Sequence, residues 1–167
     1  MTETAAPLPR SVETVRAALA GHGVAGADLI RHIPDGARTA AEAAAALGVE
    51  VGAIANSLVF VAVTGEEREP ILVMTSGGHR VDTKLFAERI AVDAIERATP
   101  EVVRSATGQV IGGVAPVGHP APLRTFVDPV LETFPQIWAA AGHSHAVFPL
   151  DYAELVRITS GTVVAVD

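Results

Sequence analysis

The pattern of apolar and polar positions along the chain predicts short strands mixed with short helices. The segments "NSLVFVAV" (residues 56–63) and "PILVMTS" (residues 70–76) are rich in apolar and β-branched residues, and the charged turn "TGEERE" separates them. This pattern predicts a hairpin within a sheet. Shorter apolar runs predict strands at "DLIRHI", "LRTFV" and "TVVAV", and a second hairpin from "QIWAAAG" into "HAVFPL".

Local capping signals indicate where the helices begin and end. In "TAAEAAAALG", Thr39 and Glu42 have the spacing of a capping box, and Gly48 is placed to end the helix. The other helical segments carry simpler signals: an N-cap at Ser11 for a helix to about Ala20, an N-cap at Asp82, Pro100 in a first turn, a helical turn after Asp128, and the run "DYAELVRI". Without a regular βαβ rhythm, these elements predict an α+β fold around one curled, mixed sheet, a partly open barrel flanked by short helices.

Composition sets the domain count and the expected compartment. A chain of 167 residues fits one domain, predicted at residues 11–167, and the polar, proline-containing residues 1–10 are predicted to be disordered. Apolar residues make up 49% of the chain but aromatic residues only 4%, so Ala, Val, Leu and Ile must build the core. The chain has no apolar run long enough for a membrane span, no signal-peptide pattern and no cysteine, and we expect a cytoplasmic protein.

The charge balance restricts the partners that we expect. A formal net charge of −7 argues against broad, non-specific binding of nucleic acid, which needs an excess of Lys and Arg. A local neutral or basic surface around one pocket stays compatible with this charge. Eleven of the twelve basic residues are arginine, and Lys84 is the single lysine.

The segment "TGQVIGGVAPVGHP" (residues 107–120) concentrates glycine and proline between ordinary helical and strand patterns. Gly112 and Gly113 can adopt positive φ and allow a ligand close to the main chain, while Pro116 stiffens the exit. Successive backbone N–H groups in such a loop can bind a carbonyl oxygen or an oxyanion. A sharp bend at a sheet corner is the alternative interpretation. The segment contains neither G-x-G-x-x-G nor G-K-[ST], so it is not a nucleotide-binding loop.

Two histidines lie two residues apart in "GHSHAVF". Strand geometry would place His143 and His145 on one face, where they could form a metal pair with His119, His79 or Asp128 as further ligands. The alternative is one histidine facing a cleft and the other bonded to water or backbone. No third ligand stands at a diagnostic spacing, and metal is not the interpretation that we favour.

The sequence offers little for a protein nucleophile. No G-x-S-x-G elbow surrounds the candidate serines Ser57, Ser76, Ser105 and Ser144. Paired carboxylates at glycosidase-like positions are not evident either. Asp82 and Asp128 occupy positions where N-caps are expected, and capping is the simpler role for both.

Four stretches occur in the order found in a known family. "ARTAAEAAAALGVEVGAIANSLVF", "ILVMTSGGHRVD", "TGQVIGGVAPVGH" and "WAAAGHSHAVFPLDYAELVRIT" together resemble the YbaK family, the free-standing relatives of the editing domain in bacterial prolyl-tRNA synthetase. The resemblance covers the chain from about Thr39 to its C-terminus. Its most specific element is "GGVAP", which is similar to the family's G-x-x-x-P loop, with Gly112 and Pro116 at its ends.

The resemblance implies a trans-editing aminoacyl-tRNA deacylase without a cofactor. Such enzymes hydrolyse the ester that joins a small, wrong amino acid to a tRNA. They are needed because one methylene group changes the binding free energy by only about 1–3 kcal/mol, so synthetases sometimes attach the wrong small amino acid. The loop backbone at Gly112 and Gly113 would hold the aminoacyl carbonyl, and a water oriented partly by the tRNA ribose hydroxyl would attack. Substrate contacts are then expected from the same motifs, namely Ser57, Ser76, Gly77, Pro116, Gly142 and His145. The partners implied are the acceptor end of aminoacyl-tRNA and a synthetase or elongation factor, with the protein a monomer or homodimer and no role for a membrane.

The chain departs from the family pattern at two places. A lysine near the terminal phosphate is usual in the family at the position of Asn56, and an amide supplies no charge there. Lys84 is too distant in sequence to replace it, whereas Arg38 or Arg80 could reach in. His143 and His145 compete for a contact to the amino acid or ribose, with His143 preferred as the catalytic candidate. The alternative function is therefore a binding module for an aminoacyl-tRNA end, a nucleotide or a synthetase, with little turnover.

Overall fold

A long central hairpin organises a sheet of eight strands in the described part of the chain. The computed structural model describes residues 8–34, 36–37 and 39–167. The helices are α1 (Arg10–Gly21), α2 (Ala40–Leu47), α3 (Thr83–Arg89), α4 (Pro100–Thr107) and α5 (Tyr152–Thr159). The strands are β1 (Arg31–His32), β2 (Ile54–Thr64), β3 (Glu67–Ser76), β4 (Ala94–Arg97), β5 (Arg124–Val127), β6 (Ile137–His143), β7 (Ala146–Leu150) and β8 (Thr162–Val163). Short 3₁₀ segments occupy Ala25–Asp28, Val51–Ala53 and Pro129–Thr133.

The sheet is mixed and open. Its strand order is β1-β7-β6-β2-β3-β5-β8, and β4 pairs with β2 beside this path. The hairpins β2–β3 and β6–β7 are antiparallel, whereas β2–β6, β3–β5 and β5–β8 are parallel. This confirms the predicted α+β architecture with one mixed sheet that is not closed.

One edge of β2 is only partly paired, and this opens the fold at its centre. Strand β3 pairs along the whole of one edge, from Ala55 to Thr64. On the other edge, β6 pairs with Ile54 and Ala55, and β4 pairs with residues 60–63. Residues 56–59 therefore have β3 as their one described partner strand, and the gap between β6 and β4 leaves room for a cavity.

Local capping explains the ends of most helices, as the sequence predicts. Thr39 accepts a hydrogen bond from the Glu42 amide at 3.1 Å, and Gly48 ends α2 in the left-handed conformation at φ 70°. Asp82 caps α3 through the Leu85 amide, and Pro100 begins α4. Because these signals lie within a few residues of each other, the sequence alone is sufficient to find them.

The cores lie on both sides of the sheet and consist mostly of aliphatic side chains, as the composition predicts. The largest cluster packs α1 against β6, and its fully buried members include Val12, Val15 and Leu19. A second cluster lies under α3, and a third, small one joins Ala43 and Ala44 of α2 to Ile54. The third cluster fixes α2 beside the opening in the sheet. None of the described helices is both long and apolar enough to cross a membrane.

Four local predictions are corrected. Helix α1 begins at Arg10 after an N-cap at Pro9, so Ser11 is not the N-cap. Arg10, which was predicted to be disordered, is part of this helix. Residues 1–7 of the predicted disordered segment lie outside the described residues. The predicted strand at residues 28–33 is reduced to Arg31–His32, because Asp28 belongs to a 3₁₀ segment. The strand predicted at "TVVAV" is reduced to Thr162–Val163. Strand β4 was not predicted, because it forms through pairing with β2, which is distant in sequence.

Candidate functional site

A cavity of about 220 Å³ opens where β2 and β6 separate. Its floor comes from Asn56, Ser57 and Leu58 on β2, beyond the two residues that pair with β6. Ala139 and Ala140 of β6 form the facing side, and α2 and the glycine loop supply further walls. The cavity is therefore a direct result of the short parallel pairing between β2 and β6.

The lining of the cavity is uncharged and rich in alanine. Alanine contributes at six positions, and none of the described lining residues carries an ionisable side chain: Ala37, Thr39, Ala40, Ala43, Ile54, Ala55, Asn56, Ser57, Leu58, Ile111, Gly112, Val114, Trp138, Ala139, Ala140, Ser144 and Val147. A neutral lining agrees with the surface that the sequence predicts for this acidic protein. It favours an uncharged part of a ligand, because an unpaired charge would be costly in such surroundings.

The glycine loop reaches the cavity with Ile111, Gly112 and Val114. Gly112 is exposed and has φ 92°, a conformation that the absence of a Cβ permits. The amide N–H groups of Gly112 and Val114 donate to no described residue, whereas the Gly113 amide donates to the Val110 carbonyl at 3.0 Å. Gly112 and Val114 thus both line the cavity with amides that have no described acceptor, whereas the second member of the predicted pair, Gly113, donates within the loop.

Gly113 has a different reason to be glycine. A Cβ at Gly113 would lie 2.7 Å from the Cα of His143 and within 2.9 Å of two further backbone atoms of that residue. The loop therefore packs directly on the end of β6. Pro116 is buried outside the cavity lining, in the part of the loop that turns away from it.

The two histidines hold the β6–β7 turn and do not line the cavity, but Ser144 between them does. The Nδ1 of His143 accepts the His145 amide at 3.1 Å. The Nδ1 of His145 lies 3.0 Å from the Ile33 carbonyl, to which it must donate, and its ring stacks on His32. Both Nδ1 atoms are thus engaged in fixing the turn that presents Ser144.

The remaining candidates lie elsewhere. Ser76 donates to the Gly52 carbonyl, and a Cβ on Gly77 would lie 2.4 Å from the Val51 carbonyl oxygen. The end of β3 therefore packs closely on the 3₁₀ segment that precedes β2. Gly142 has φ 97° and lies against the Ser11 carbonyl. None of the three lines the cavity, so the structure does not bring them together with Asn56, Ser57 and Gly112.

The metal ligands that the sequence suggested are not assembled. His79 Nδ1 lies 2.9 Å from Asp128 Oδ2, and Asp128 also accepts the amides of Ser76 and Val130. His119 bonds the Ala115 carbonyl in a third place, away from His143. Among the described residues, no three His, Asp or Glu side chains come together in an arrangement that could hold a metal ion.

Two residues near the cavity were not predicted from the sequence. Gln109 is buried behind the glycine loop and bonds its backbone. Arg31 pairs with Val147 across β1 and β7. Because residues directly opposite in an antiparallel pair share a face, Arg31 is expected on the same face as Val147, which lines the cavity. Arg31 is exposed and forms no ion pair with a described residue. Arg80 is exposed after β3 but does not line the cavity, and Arg38 lies outside the described residues.

The fold and the loop identify the class of protein. The family model of the aminoacyl-tRNA editing domain matches residues 34–158, which include the cavity, the glycine loop and both histidines. The chain therefore belongs to the aminoacyl-tRNA editing domain family, as the resemblance predicts.

Individual relatives agree with this family. A crystal structure described as a "putative trans-editing enzyme for prolyl tRNA synthetase" is 37% identical, with a TM-score of 0.83, and the match covers 96% of this chain and 99% of that one. YwhH of Bacillus subtilis, an uncharacterised protein, is 31% identical over 75% of this chain and 77% of its own length. A proline–tRNA ligase of Nitratidesulfovibrio vulgaris (strain DP4) is 34% identical over 58% of this chain, but the matched part is only 16% of the ligase.

Proposed function

We propose that this chain hydrolyses the ester bond of mischarged aminoacyl-tRNA and acts in trans on a small non-cognate amino acid. The observation that carries the proposal is the pair of free amide donors, Gly112 and Val114, at the wall of an uncharged cavity. Family membership supports an editing role for this cavity. The reaction would take place in the cytoplasm, with a synthetase or elongation factor as the source of the substrate.

In this proposal the loop backbone stabilises the transition state. The aminoacyl carbonyl oxygen accepts hydrogen bonds from Gly112 and Val114, and these bonds strengthen as the oxygen becomes an oxyanion. One such donor is commonly worth about 10²–10³ in kcat. A water molecule, oriented partly by the ribose hydroxyl of the tRNA, attacks the carbonyl carbon. The bond between the carbonyl carbon and the esterified ribose oxygen then breaks, and this oxygen takes up the proton that the attacking water loses. Free amino acid and uncharged tRNA are the products.

The wall of the cavity supports a small side chain on the substrate. Ala40 and Ala43 of α2 and Ala139 and Ala140 of β6 all line the cavity, and an aminoacyl group has to fit among them. Small amino acids are also those that synthetases fail to exclude by binding alone. Because several relatives are proline–tRNA ligases, we propose tRNA(Pro) charged with alanine, cysteine, serine or threonine as the substrate set.

Asn56 and Arg31 would share the task that a lysine performs in the family. Asn56 is exposed on the cavity floor and can hydrogen-bond a ribose or phosphate oxygen. Arg31 supplies positive charge beside the same opening, on the neighbouring part of the sheet. Together they would hold the terminal nucleotide without a lysine. Guanidinium groups suit phosphate because they donate in a planar fork.

The test is deacylation of tRNA(Pro) charged separately with each of the four amino acids. We expect wild-type protein to release at least one of them and Gly112→Ala to lose this activity, since a residue with a side chain is strained at φ 92°. Gly65→Ala is the matched control, because Gly65 also has positive φ with open space around it but lies in the β2–β3 turn. Equal losses in both variants would show that strain alone, and not the loop, reduces the rate.

The uncharged Asn56 keeps a second function under consideration, a module that binds the aminoacyl-tRNA end with little turnover. Asn56→Lys distinguishes the two. If wild-type protein binds the charged tRNA without releasing any amino acid, and Asn56→Lys gains release, the binding module is the better description. If wild-type protein already turns over, Asn56→Lys is expected to change mainly KM.

A further inference from the structure

Gln109 is a buried side chain that connects two points of the glycine loop. It is only 3% exposed and follows the left-handed Gly108 that ends α4. Its Oε1 accepts the Ala115 amide at 2.7 Å, and its Nε2 donates to the Val117 carbonyl at 3.3 Å. The requirement for one acceptor and one donor fixes the orientation of the side-chain amide and is met by glutamine without any change of protonation.

The residues before Gln109 anchor it to α4. The Thr107 hydroxyl donates to the Val103 carbonyl at 2.6 Å and accepts the Gln109 amide at 3.0 Å. A rigid helix end thus holds the glutamine, and the glutamine holds the loop. Within residues 112–118, the described side chains that bond the loop backbone are Gln109 and His119, and His119 bonds the Ala115 carbonyl at 2.8 Å.

The bonds of Gln109 act on the segment that adjoins the two free amides. Ala115 follows Val114 directly, so fixing the Ala115 N–H also fixes the peptide plane next to the Val114 amide. Gly112 has no bonded partner of its own among the described residues, and its position depends on the packing of Gly113 and on the held segment. Loss of the Gln109 bonds would therefore let both donors move relative to the cavity.

We propose that Gln109 is a positioning residue that holds the Gly112 and Val114 amides where the carbonyl of the substrate is bound. This inference rests on the proposed deacylase function, because it assigns a purpose to the position of those amides. A misplacement of about 1 Å can reduce a rate on the order of a hundredfold. We expect Gln109→Met, which keeps the approximate volume but removes both bonds, to lower kcat about tenfold or more and to change KM by less than about threefold.

A matched control separates positioning from stability. Thr159 in α5 also makes one donated and one accepted bond through its side chain, to the Leu155 carbonyl and the Gly161 amide. Thr159→Val removes both at nearly constant volume and lies outside the cavity lining. We expect Thr159→Val to lower Tm as Gln109→Met does, with kcat per folded molecule within about twofold of wild type.

The pH dependence of kcat in Gln109→Glu distinguishes a positioning role from a purely structural one. In Gln109→Glu the ionised side chain still accepts the Ala115 amide but cannot donate to the Val117 carbonyl. Burial favours the protonated acid, which can donate. We expect kcat of Gln109→Glu relative to wild type to rise as pH falls from 8 to 6, while the same ratio for Thr159→Val stays flat.

The inference is overturned if Gln109→Met and Thr159→Val retain the same kcat per folded molecule, or if the Gln109→Glu ratio does not change with pH. Amide hydrogen exchange distinguishes this failure from a failure of the proposed function. If wild-type protein deacylates none of the charged tRNAs, the deacylase proposal fails. Faster exchange of the Ala115 amide in Gln109→Met than in Thr159→Val would then still support the holding of the loop, and equal exchange would reject it.

Discussion

The contact between the glycine loop and the end of β6 allows a sharp test of the site. Gly113→Ala adds one methyl group where the Cα of His143 would be 2.7 Å away and its carbonyl carbon 2.8 Å away. Both are backbone atoms, so no side-chain rotation relieves the overlap. Gly113 does not have positive φ, so the alanine introduces no backbone strain of its own. The substitution therefore isolates the effect of close approach.

The size of the effect follows from the distances. To reach an ordinary contact of 3.4 Å, the loop and β6 must separate by about 0.7 Å. Overpacking of this kind typically costs about 1–3 kcal/mol of stability. A shift of that size at the Gly112 and Val114 amides is expected to lower kcat about tenfold to a hundredfold, because donor geometry governs oxyanion stabilisation.

The assay is single-turnover deacylation of a charged tRNA that the wild-type protein hydrolyses, with Tm measured on the same protein preparation. Gly161→Ala is the control, since a Cβ there lies 2.7 Å from Val127 Cγ2 and 2.8 Å from Thr159 Oγ1, away from the cavity. We expect Gly161→Ala to lose stability but to keep its rate per folded molecule. Full activity in a folded Gly113→Ala variant, or an equal loss of rate in both variants, would show that this contact does not position the two amides.

Three further predictions concern pH, a buried hydroxyl and charge. Burial lowers the pKa of His119 from its ordinary 6.5, more than its bond to the Ala115 carbonyl raises it. The unfolded chain then binds more protons, so urea unfolding should show stability lost as pH falls below about 6.5. His119→Gln should reduce that loss. Thr75 Oγ1 is buried without a described partner, so Thr75→Val should leave stability unchanged or raise it by up to about 1–2 kcal/mol in denaturant unfolding. Arg31→Gln should raise KM for charged tRNA and make the dependence of KM on salt shallower. Lys84→Gln, at an exposed position of α3, should have neither effect.

Much of the fold can be predicted because its signals are local. The capping residues Thr39, Asp82 and Pro100 act within one turn, and the β2–β3 hairpin is visible from its apolar runs and its turn. Strand β4 escapes prediction because its four residues, Ala94–Arg97, become a strand only through pairing with β2. A strand was predicted at residues 28–33, but only Arg31 and His32 pair with β7, so the length of β1 is set by that pairing.

The site was predictable only in part. Gly112 was predicted from the glycine-rich pattern of its own segment and Asn56 from the family resemblance, and the structure places both at one cavity although they are far apart in sequence. Gln109 and Arg31 could not be found from residue patterns, because Gln109 bonds backbone groups and Arg31 is positioned by its partner across the sheet. Ser76 and Gly142 are explained by tight packing, which the sequence does not distinguish from binding.

The most direct test of the central claim is the single-turnover release of amino acid from tRNA(Pro) charged with alanine, cysteine, serine or threonine. We expect release of at least one amino acid well above the spontaneous rate, near-background release by Gly112→Ala, and a rate close to wild type for Gly65→Ala. Release at the spontaneous rate for all four substrates, by wild-type protein that is folded and binds the charged tRNA, would show that the protein is not a deacylase of these substrates.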